Sequence, residues 1–369
     1  MLFHCEKSIL LSAVNTAARA VALRSAQPAL ECLLLCAQDA TLRVTGYNLE
    51  IGIQADAPID IEKQGSILAP TKILQDILRK LPDQTVSISA DDQLLITIRC
   101  GLTEFNLTGL PPIDYPQMPE IDRERAFTLK QNTLCDMLSR VTYALSDNES
   151  RIVNTGALFD LAAGTLHIVA LDGYRLALRR CRADHGGEDL HFIVPGVALR
   201  ELEKILAQDT ESEITLVLGR RHIQFVMENT TLVSRLLEGE FLNYKKAIPE
   251  QHKYQIFVNT RELQTAVERV SLLIHEKIRS PVRLTFQNDS INLFCQTALG
   301  RGNDCCQSKG DGENLVIGFN NKYLVDALRT VEDEEIILGL SGDLNPCVIY
   351  PIEGDAYVNM VLPTRLRSD

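Results

Sequence analysis

Apolar residues recur with one spacing at three places along the chain. In each place a first apolar residue is followed by others seven, eleven and fourteen positions later. The three copies are Phe3, Leu10, Val14 and Ala17; Phe127, Leu134, Leu138 and Val141; and Ile256, Leu263, Val267 and Val270. This spacing predicts a short strand followed by a helix with one apolar stripe, three times over.

A second apolar pattern follows each copy of the first. Its first apolar residue is followed by others seven, ten and fourteen positions later, and its copies start 125 residues apart. The copies are Ile67, Leu74, Ile77 and Leu81; Phe192, Leu199, Leu202 and Leu206; and Ile317, Leu324, Ala327 and Val331. Helices are predicted to begin near Pro70-Thr71, Pro195-Gly196 and Asn320-Asn321, where proline or asparagine suits a first turn. Two patterns repeated three times indicate internal duplication.

Alternating apolar and polar residues after these helices predict strands, for example at 85–89, 94–98, 213–217 and 335–338. Linkers fall near 116–125 and 249–253. The chain is therefore predicted to be an α+β protein of three similar domains, each a duplicated strand–helix–strands motif. The predicted domains are residues 1–120, 126–250 and 254–369. The segment 300–312, rich in glycine and polar residues, is predicted to be a flexible loop.

Composition narrows the possible chemistry. The ten cysteines include no C-x-x-C pair, so we expect buried apolar thiols, with neither a metal site nor a disulfide. The first residues do not resemble a signal peptide, and no apolar run approaches the ~20 residues that span a bilayer. A cytoplasmic protein without a cofactor is expected.

The formal net charge of −12 argues against an ordinary nucleic-acid-binding protein. The predicted helices, however, carry more Lys and Arg than Asp and Glu. If they share one face, that face is basic and suits phosphates without reading base sequence. The alternative is an ordinary solvated helix surface, since Lys and Arg are common helix formers. The candidate phosphate contacts on the helices are Lys72, Arg79, Lys80, Arg140, Arg200 and Lys204.

Three stretches of the chain resemble a known family. They are residues 170–177 (ALDGYRLA), 234–249 (SRLLEGEFLNYKKAIP) and 360–366 (MVLPTRL), supported by 317–320 (IGFN) and 109–116 (GLPPIDYP). They resemble the bacterial DNA sliding clamp, the beta subunit of DNA polymerase III. The similarity runs in order through essentially the whole chain.

The resemblance implies a head-to-tail homodimer that closes as a ring, with helices lining the hole around duplex DNA. It implies a polymerase processivity factor whose partners are double-stranded DNA, the polymerase III catalytic subunit, the clamp loader and other clamp-motif proteins. Arg24, Asn148 and Arg151 are the further DNA contacts that it implies. In the dimer interface, Phe105 and Leu107 would meet Leu272 and Leu273, although all four also suit a monomer core.

The resemblance also implies an apolar pocket that takes short partner peptides containing Leu or Phe. Arg175, Lys246 and Arg365 would rim it, and Met adapts its apolar floor to varied partners. Leu176, Val361 and Leu362 equally suit a strand core, and Gly173 a turn. The implied pocket residues are Asn154, Leu171, Gly173, Tyr174, Arg175, Leu176, Leu242, Lys246, Ala247, Ile278, Met360, Val361, Leu362, Pro363, Thr364 and Arg365.

Some positions depart from the family pattern. Leu242 stands where proline is frequent, Lys245 and Lys246 where arginine is common, and Asn154 where an apolar residue is usual. Residues 367–369 extend beyond the expected end. We therefore expect a pocket with an altered peptide preference, which leaves open a clamp-like paralogue that acts as an interaction scaffold.

Two other function classes are alternatives to the clamp. An enzyme is disfavoured because the chain has no G-x-S-x-G, P-loop or H-E-x-x-H motif. His167 near Asp172 is only a weak candidate for a catalytic pair. A monomeric repeat scaffold that does not bind nucleic acid is the remaining alternative.

Overall fold

Strands and short helices alternate through the computed structural model, which describes residues 1–121, 125–183, 187, 189–208, 211–274 and 280–366. The chain divides into two compact units. The first contains Met1–Asn132 and Lys204–Leu236, and the second contains Thr133–Glu203 and Leu237–Asp369. The central third of the chain thus contributes to both units.

The described α-helices are mostly two to three turns long. They are α1 Lys7–Ala18, α2 Thr71–Lys80, α3 Gln131–Ser139, α4 Gly196–Glu203, α5 Tyr244–Ala247, α6 Thr260–Val270 and α7 Asn321–Arg329. Short 3-10 helices cover Pro28–Glu31, Pro112–Asp114, Thr142–Ala144, Glu149–Thr155 and Ser271–Leu273.

The strands are numbered in chain order. They are β1 Leu2–Glu6, β2 Cys32–Gln38, β3 Thr41–Tyr47, β4 Ile51–Pro58, β5 Asp60–Lys63, β6 Gly65–Pro70, β7 Thr85–Ala90, β8 Leu95–Cys100, β9 Thr103–Thr108, β10 Ala126–Lys130, β11 Gly156–Ala162, β12 Thr165–Leu171, β13 Arg175–Arg182, β14 Leu190–Pro195, β15 Glu213–Leu218, β16 His222–Val226, β17 Thr230–Arg235, β18 Tyr254–Asn259, β19 Val282–Gln287, β20 Ser290–Thr297, β21 Gly300–Lys309, β22 Leu315–Phe319, β23 Glu335–Leu340, β24 Cys347–Pro351 and β25 Tyr357–Val361.

The first unit contains two antiparallel sheets. One has five strands in the order β5-β1-β7-β8-β9, and the other has eight in the order β10-β15-β16-β17-β4-β3-β2-β6. In the larger sheet β17 pairs with β4, with Leu232 opposite Ile53. One sheet therefore continues from the first third of the chain into the central third.

The second unit is built on one sheet of twelve strands, in the order β14-β11-β12-β13-β25-β24-β23-β18-β21-β20-β19-β22. Here β13 pairs with β25, which places Leu176 opposite Met360. The central and last thirds of the chain are joined by main-chain hydrogen bonds in the same way as the first and central thirds.

The predicted apolar stripes form the cores. In α1, the residues Leu10, Val14 and Ala17 are fully buried, and α6 buries Leu263 and Val267 in the same way. The last members of several stripes lie just beyond the helix ends but remain buried. They are Leu81, Val141, Leu206 and Val331. The prediction of repeated strand–helix units is confirmed, with helices about one turn shorter than the apolar spacing allows.

The predicted loop at 300–312 was wrong. Residues Gly300–Lys309 form β21, which pairs with β20 along its length. Cys306 and Ser308 are buried, while the residues between and beside them are exposed, so the segment alternates as a strand does. The inward side chains are small or polar, which hid the alternation from a search for large apolar residues.

Seven of the ten cysteines are buried, which confirms their predicted use as small apolar residues. Burial raises the pKa of Cys347 to about 12, so this thiol stays protonated at neutral pH. Cys305, on β21, is exposed. Within the described ranges, no helix has the length and apolar character needed to cross a membrane.

Gly46, on β3, marks the closest approach of the sheet to α1. A Cβ added there would lie 2.0 Å from the carbonyl oxygen of Ala17. We expect Gly46→Ala to lower the free energy of unfolding by roughly 1–3 kcal/mol, because helix and sheet must move apart. Gly302→Ala is the matched control, since its Cβ would meet only ordinary contacts at 3.6 Å and beyond. Equal effects of both changes in urea unfolding would contradict this account.

Candidate functional site

Four apolar side chains lie opposite one another across four adjacent strands of the second unit. Leu171 on β12 faces Leu176 on β13, Leu176 faces Met360 on β25, and Met360 faces Val348 on β24. All four belong to one apolar cluster that also holds Tyr244. We call these four residues the cross-strand row. Strand pairing between the central and last thirds of the chain creates it.

A tight turn at residues 172–175 connects Leu171 and Leu176, two members of the row. The carboxylate of Asp172 accepts hydrogen bonds from the backbone N–H groups of Tyr174 (2.8 Å) and Arg175 (3.0 Å). Gly173 has a φ of +92°, so the glycine is required by the turn, as one of the sequence interpretations held. The ring of Tyr174 is largely exposed and stacks on Tyr323, with centroids 5.9 Å apart.

Arg175 is not free to rim a pocket as the sequence suggested. Its Nε lies 2.9 Å from the carboxylate of Asp172, and its Nη1 lies 2.7 Å from that of Asp326. The guanidinium also lies over the rings of Tyr143 and Tyr323, and only 9% of the side chain is exposed. Arg175 therefore ties β13 to α7, because two carboxylates and two rings hold its charge.

The residues after β25 form backbone hydrogen bonds with two other segments, the turn before β13 and strand β22. The N–H of Leu362 donates to the carbonyl of Tyr174 (2.8 Å), and that of Thr364 donates to the carbonyl of Gly318 (2.7 Å). A Cβ on Gly318 would collide with Leu366. Leu362 and Pro363 are half-buried, whereas Thr364 and Arg365 are exposed. Val361 lies in the core of the last third, in agreement with its alternative assignment as a core residue.

A segment at 237–248, here called the wall loop, borders the cluster on another side. It includes α5, which Asn243 caps by accepting a hydrogen bond from the N–H of Lys246. Leu242 and Lys246 are exposed, and Ala247 is half-buried. Tyr244 is buried in the cluster.

Of the two remaining pocket candidates, the structure describes Asn154 but not Ile278. Asn154 is buried at the end of the 3-10 helix Glu149–Thr155, and its carbonyl accepts from the N–H of Ser146 (2.9 Å). Ile278 and residues 367–369 lie outside the described residues. Sequence reasoning missed Tyr244, Tyr323 and Val348. Tyr244 stands inside a quoted motif, but the contribution of Val348 depends on strand register, which a sequence does not state directly.

Most of the cations predicted to contact DNA are exposed. In the first unit, Arg24 follows α1, Lys72 lies in the first turn of α2, Arg79 and Lys80 lie in its last turn, and Lys204 follows α4. In the second unit, Arg200 is exposed on α4 and Arg151 lies in the 3-10 helix that Asn148 caps. Arg79 pairs with Asp76 at 3.1 Å, which is an ordinary surface contact.

Arg140 differs from this group, and its assignment as a phosphate contact is corrected. Its side chain is 16% exposed and lies within ion-pair distance of Asp136 and Glu332. Its Nη1 donates to the carbonyl of Thr330 (3.0 Å), which also accepts from Arg179 (2.6 Å). Carbonyls at the end of a helix attract cations, so Arg140 and Arg179 together cap the C-terminal end of α7.

The four candidate interface residues lie at or near the surface. Phe105 and Leu107 are on β9, the outermost strand of the five-stranded sheet, and Phe105 is exposed. Leu272 is exposed and Leu273 half-buried in the 3-10 helix after α6. Leu107 packs against the core cluster of the first unit.

The geometry does not support His167 and Asp172 as a catalytic pair. His167 contacts the hydroxyl of Tyr244, whereas Asp172 is occupied by its own turn and by Arg175. The two side chains therefore have different partners, and the structure does not join them as an acid–base pair.

The fold and the cross-strand row define a three-domain clamp protein, in which each domain repeats a strand–helix–strands motif. Family models for DNA polymerase III beta subunit match the chain from end to end. The N-terminal domain matches residues 1–119, the central domain 128–243 and the C-terminal domain 245–365. The chain belongs to the DNA polymerase III beta subunit family.

Individual relatives agree with this assignment. The beta sliding clamp of Halalkalibacterium halodurans is 31% identical over 379 residues, covering 99% of this chain and 100% of the relative. The crystal structure of the Bacillus subtilis sliding clamp matches with a TM-score of 0.96 and 31% identity over 100% of both chains. The Pseudomonas aeruginosa clamp bound to griselimycin matches with a TM-score of 0.95 and 28% identity, covering 99% of this chain and 100% of that one.

Three histidines predict how stability depends on pH. Burial lowers the pKa of His167, of His222 and of His252, and neighbouring arginines lower the first two further. Each binds a proton more weakly when folded, so the unfolded chain takes up more protons near and below pH 6.5. The stability that the neutral rings contribute is present above that value and is lost as the pH falls. We expect a lower Tm at pH 5.5 than at pH 7.5.

Scanning calorimetry at the two pH values, in matched ionic strength, checks this expectation. The triple variant His167→Gln, His222→Gln and His252→Gln is the comparison, and its Tm should change less between the same two values. A wild-type Tm that is constant or higher at pH 5.5 would contradict the assignment of these half-buried rings as neutral in the folded chain.

Proposed function

We propose that the protein is a non-enzymatic DNA polymerase processivity factor, a homodimer that closes as a ring around duplex DNA in the cytoplasm. The observation that carries the proposal is the cross-strand row, because it unites residues from two family domains in one apolar site within a chain that matches the family along its whole length. Within each unit, strand pairing joins parts of two family domains in one sheet, which supports an architecture built from repeated domains.

DNA contacts come from cations spread over several helices. Arg24, Lys72, Arg79 and Lys80 in the first unit, and Arg151 and Arg200 in the second, are exposed on a chain of net charge −12. Asn148 and Lys204 complete the proposed set. Lys and Arg contacts to phosphates give affinity without sequence preference, which a sliding protein requires. Acidic surface elsewhere would disfavour DNA outside the ring.

Two strand edges are suited to head-to-tail dimerisation. β9 pairs only with β8, and β21 pairs with β18 only at its last two residues, which leaves most of one edge open among the described strands. An exposed edge is a template for another strand. We propose that β9 of one protomer continues the sheet at β21 of its partner, with Phe105 and Leu107 beside Leu272 of the partner subunit.

The apolar site binds short peptides of polymerases, of the clamp loader and of other clamp-motif proteins. The cross-strand row offers an apolar floor that includes a deformable Met360. Lys246 and Arg365 are exposed and lie near Tyr244 and Met360 in sequence, and their charges favour peptides that carry a carboxylate. Griselimycin, bound by the Pseudomonas aeruginosa clamp, is a ready second probe. The paralogue alternative predicts a ring that does not bind polymerase peptides.

The DNA proposal predicts topological retention. Loaded with a clamp loader and ATP, the protein should stay on nicked circular DNA and be lost rapidly once the circle is cut. Arg24→Glu with Lys80→Glu should shorten the lifetime on circles by about tenfold, because phosphate contacts become repulsive. Lys63→Glu with Arg220→Glu is the control of equal charge change, since both cations are exposed but neither is among the proposed DNA contacts.

Light scattering establishes the dimer mass for every variant in this experiment. Equal retention on circular and linear DNA would mean surface attachment and would overturn the ring. Equal losses from both double variants would mean that total charge, and not the placement of the helix cations, controls retention.

The peptide site gives a separate prediction. Leu242→Asp should weaken binding of a labelled peptide ending in Leu-Phe by about tenfold, because an exposed apolar wall residue becomes charged. Leu49→Asp is the control, since Leu49 is similarly exposed but lies in the first unit. Fluorescence anisotropy measures both. An unchanged affinity for the Leu242 variant would remove the wall loop from the site.

A further inference from the structure

A buried carboxylate lies on β11, beneath the wall loop. Asp160 on β11 lies opposite His167 on β12 and His191 on β14, and its side chain is 4% exposed. Its neighbours along β11, Phe159 and Leu161, are fully buried apolar residues. Burying a charge is costly unless it is paired and hydrogen-bonded, so this carboxylate requires specific partners.

Those partners come largely from the wall loop. The hydroxyl of Tyr244 donates a hydrogen bond to Asp160, and Nζ of Lys245 lies 3.1 Å from the same carboxylate oxygen. Nδ1 of His191 lies 2.9 Å from the other oxygen. Because the phenol hydrogen is used by Asp160, His167 donates its Nδ1–H to the Tyr244 oxygen, 2.7 Å away. We call Asp160, His167 and Tyr244 the polar anchor.

A hydrogen bond and a neighbouring charge keep the carboxylate of Asp160 ionised. Burial raises the pKa of Asp160, but the hydrogen bond from Tyr244 and the charge of Lys245 outweigh burial and leave that pKa below its ordinary value. Burial and the charge of Arg180 lower the pKa of His167. At neutral pH the anchor is thus an ionised carboxylate, a neutral imidazole and a protonated phenol, which is the combination that its hydrogen bonds require.

Tyr244 connects the anchor to the peptide site. Its ring belongs to the same apolar cluster as Leu171, Leu176 and Met360, while its hydroxyl belongs to the polar anchor. Tyrosine suits this position because one end is apolar and the other needs a hydrogen-bond partner.

The wall loop is held at its start by a backbone bond and along its length by apolar contacts. The N–H of Leu237 donates to the carbonyl of Ile193 (3.0 Å), and Leu237, Phe241 and Ile248 pack against the apolar cluster. The helix of the loop, α5, has only four residues, fewer than an isolated helix needs to be stable. The backbone bonds around this helix run within the loop, from the N–H groups of Lys246 and Ala247 to the carbonyl of Asn243 and from the N–H of Ile248 to the carbonyl of Tyr244. Within the short helix, Tyr244 is the buried residue, so its anchoring helps to fix the neighbouring Leu242 and Lys246.

We propose that Tyr244 and Asp160 are positioning residues for partner binding: the polar anchor fixes the wall loop in the conformation that receives a peptide. This inference rests on the proposed peptide site. If a loop must first be ordered, the apparent affinity falls by the fraction of molecules in the competent conformation. Loss of the anchor should then weaken peptide binding without touching the peptide directly.

The test is the Tyr244→Phe variant of the full chain, which keeps the ring and removes only the hydroxyl. We expect its Kd for the labelled Leu-Phe peptide to rise about threefold to tenfold, with unchanged dimer mass and retention on circular DNA. Amide hydrogen exchange should become faster at residues 246–248 and slow again at saturating peptide. Asp160→Asn, which removes the charge, should change binding and exchange in the same direction.

Tyr254→Phe is the matched control. Its hydroxyl also donates to a carboxylate, that of Glu313 at 2.6 Å, but it lies on β18 outside the apolar cluster. Equal affinity losses in the two tyrosine variants, or a Tyr244 variant that binds like the wild type, would overturn the inference alone. Faster exchange throughout the second unit would assign Tyr244 a general structural role and also overturn it. A wild type that does not bind the peptide would overturn the proposed function together with this inference.

Discussion

Main-chain pairing across domain boundaries is the constraint on which the rest of the molecule depends. β17 pairs with β4, and β13 pairs with β25, so each junction is a ladder of backbone hydrogen bonds. At the second junction, side chains reinforce the ladder, since Arg175 reaches Asp326 while Arg140 and Arg179 reach the end of α7. A register error at β13–β25 would turn Leu176 and Met360 away from each other and abolish the apolar site.

Local patterns predicted the elements well, because each stripe or alternation reports burial within a few residues. The strand–helix units around Phe3, Phe127 and Ile256 needed no tertiary information. The segment 300–309 was misread, because its inward positions are small or polar and a loop has the same composition. Helix ends were less sharply defined, since buried residues such as Leu81 and Val331 continue the stripe beyond the last helical turn.

The candidate site was only partly predictable. Family resemblance pointed to Leu171, Leu176 and Met360, but the role of Val348 follows from pairing between strands far apart in sequence. The charge of a residue was the least reliable predictor of its role in a binding site. Arg140 and Arg175 look like surface cations in a sequence, yet both are held by carboxylates or helix-end carbonyls. One partner of each, Thr330 and Asp326 respectively, lies more than 100 positions away. Composition cannot distinguish a cation that meets solvent from one that ties two domains.

The cross-strand row has a consequence for synthesis of the chain. Of its four strands, β25 is translated last, and Met360 enters the row only when β25 pairs with β13 and β24. A chain that ends before β25 therefore lacks the finished row. If the row binds partner peptides as proposed, chains that lack β25 would not compete with complete ones for those partners.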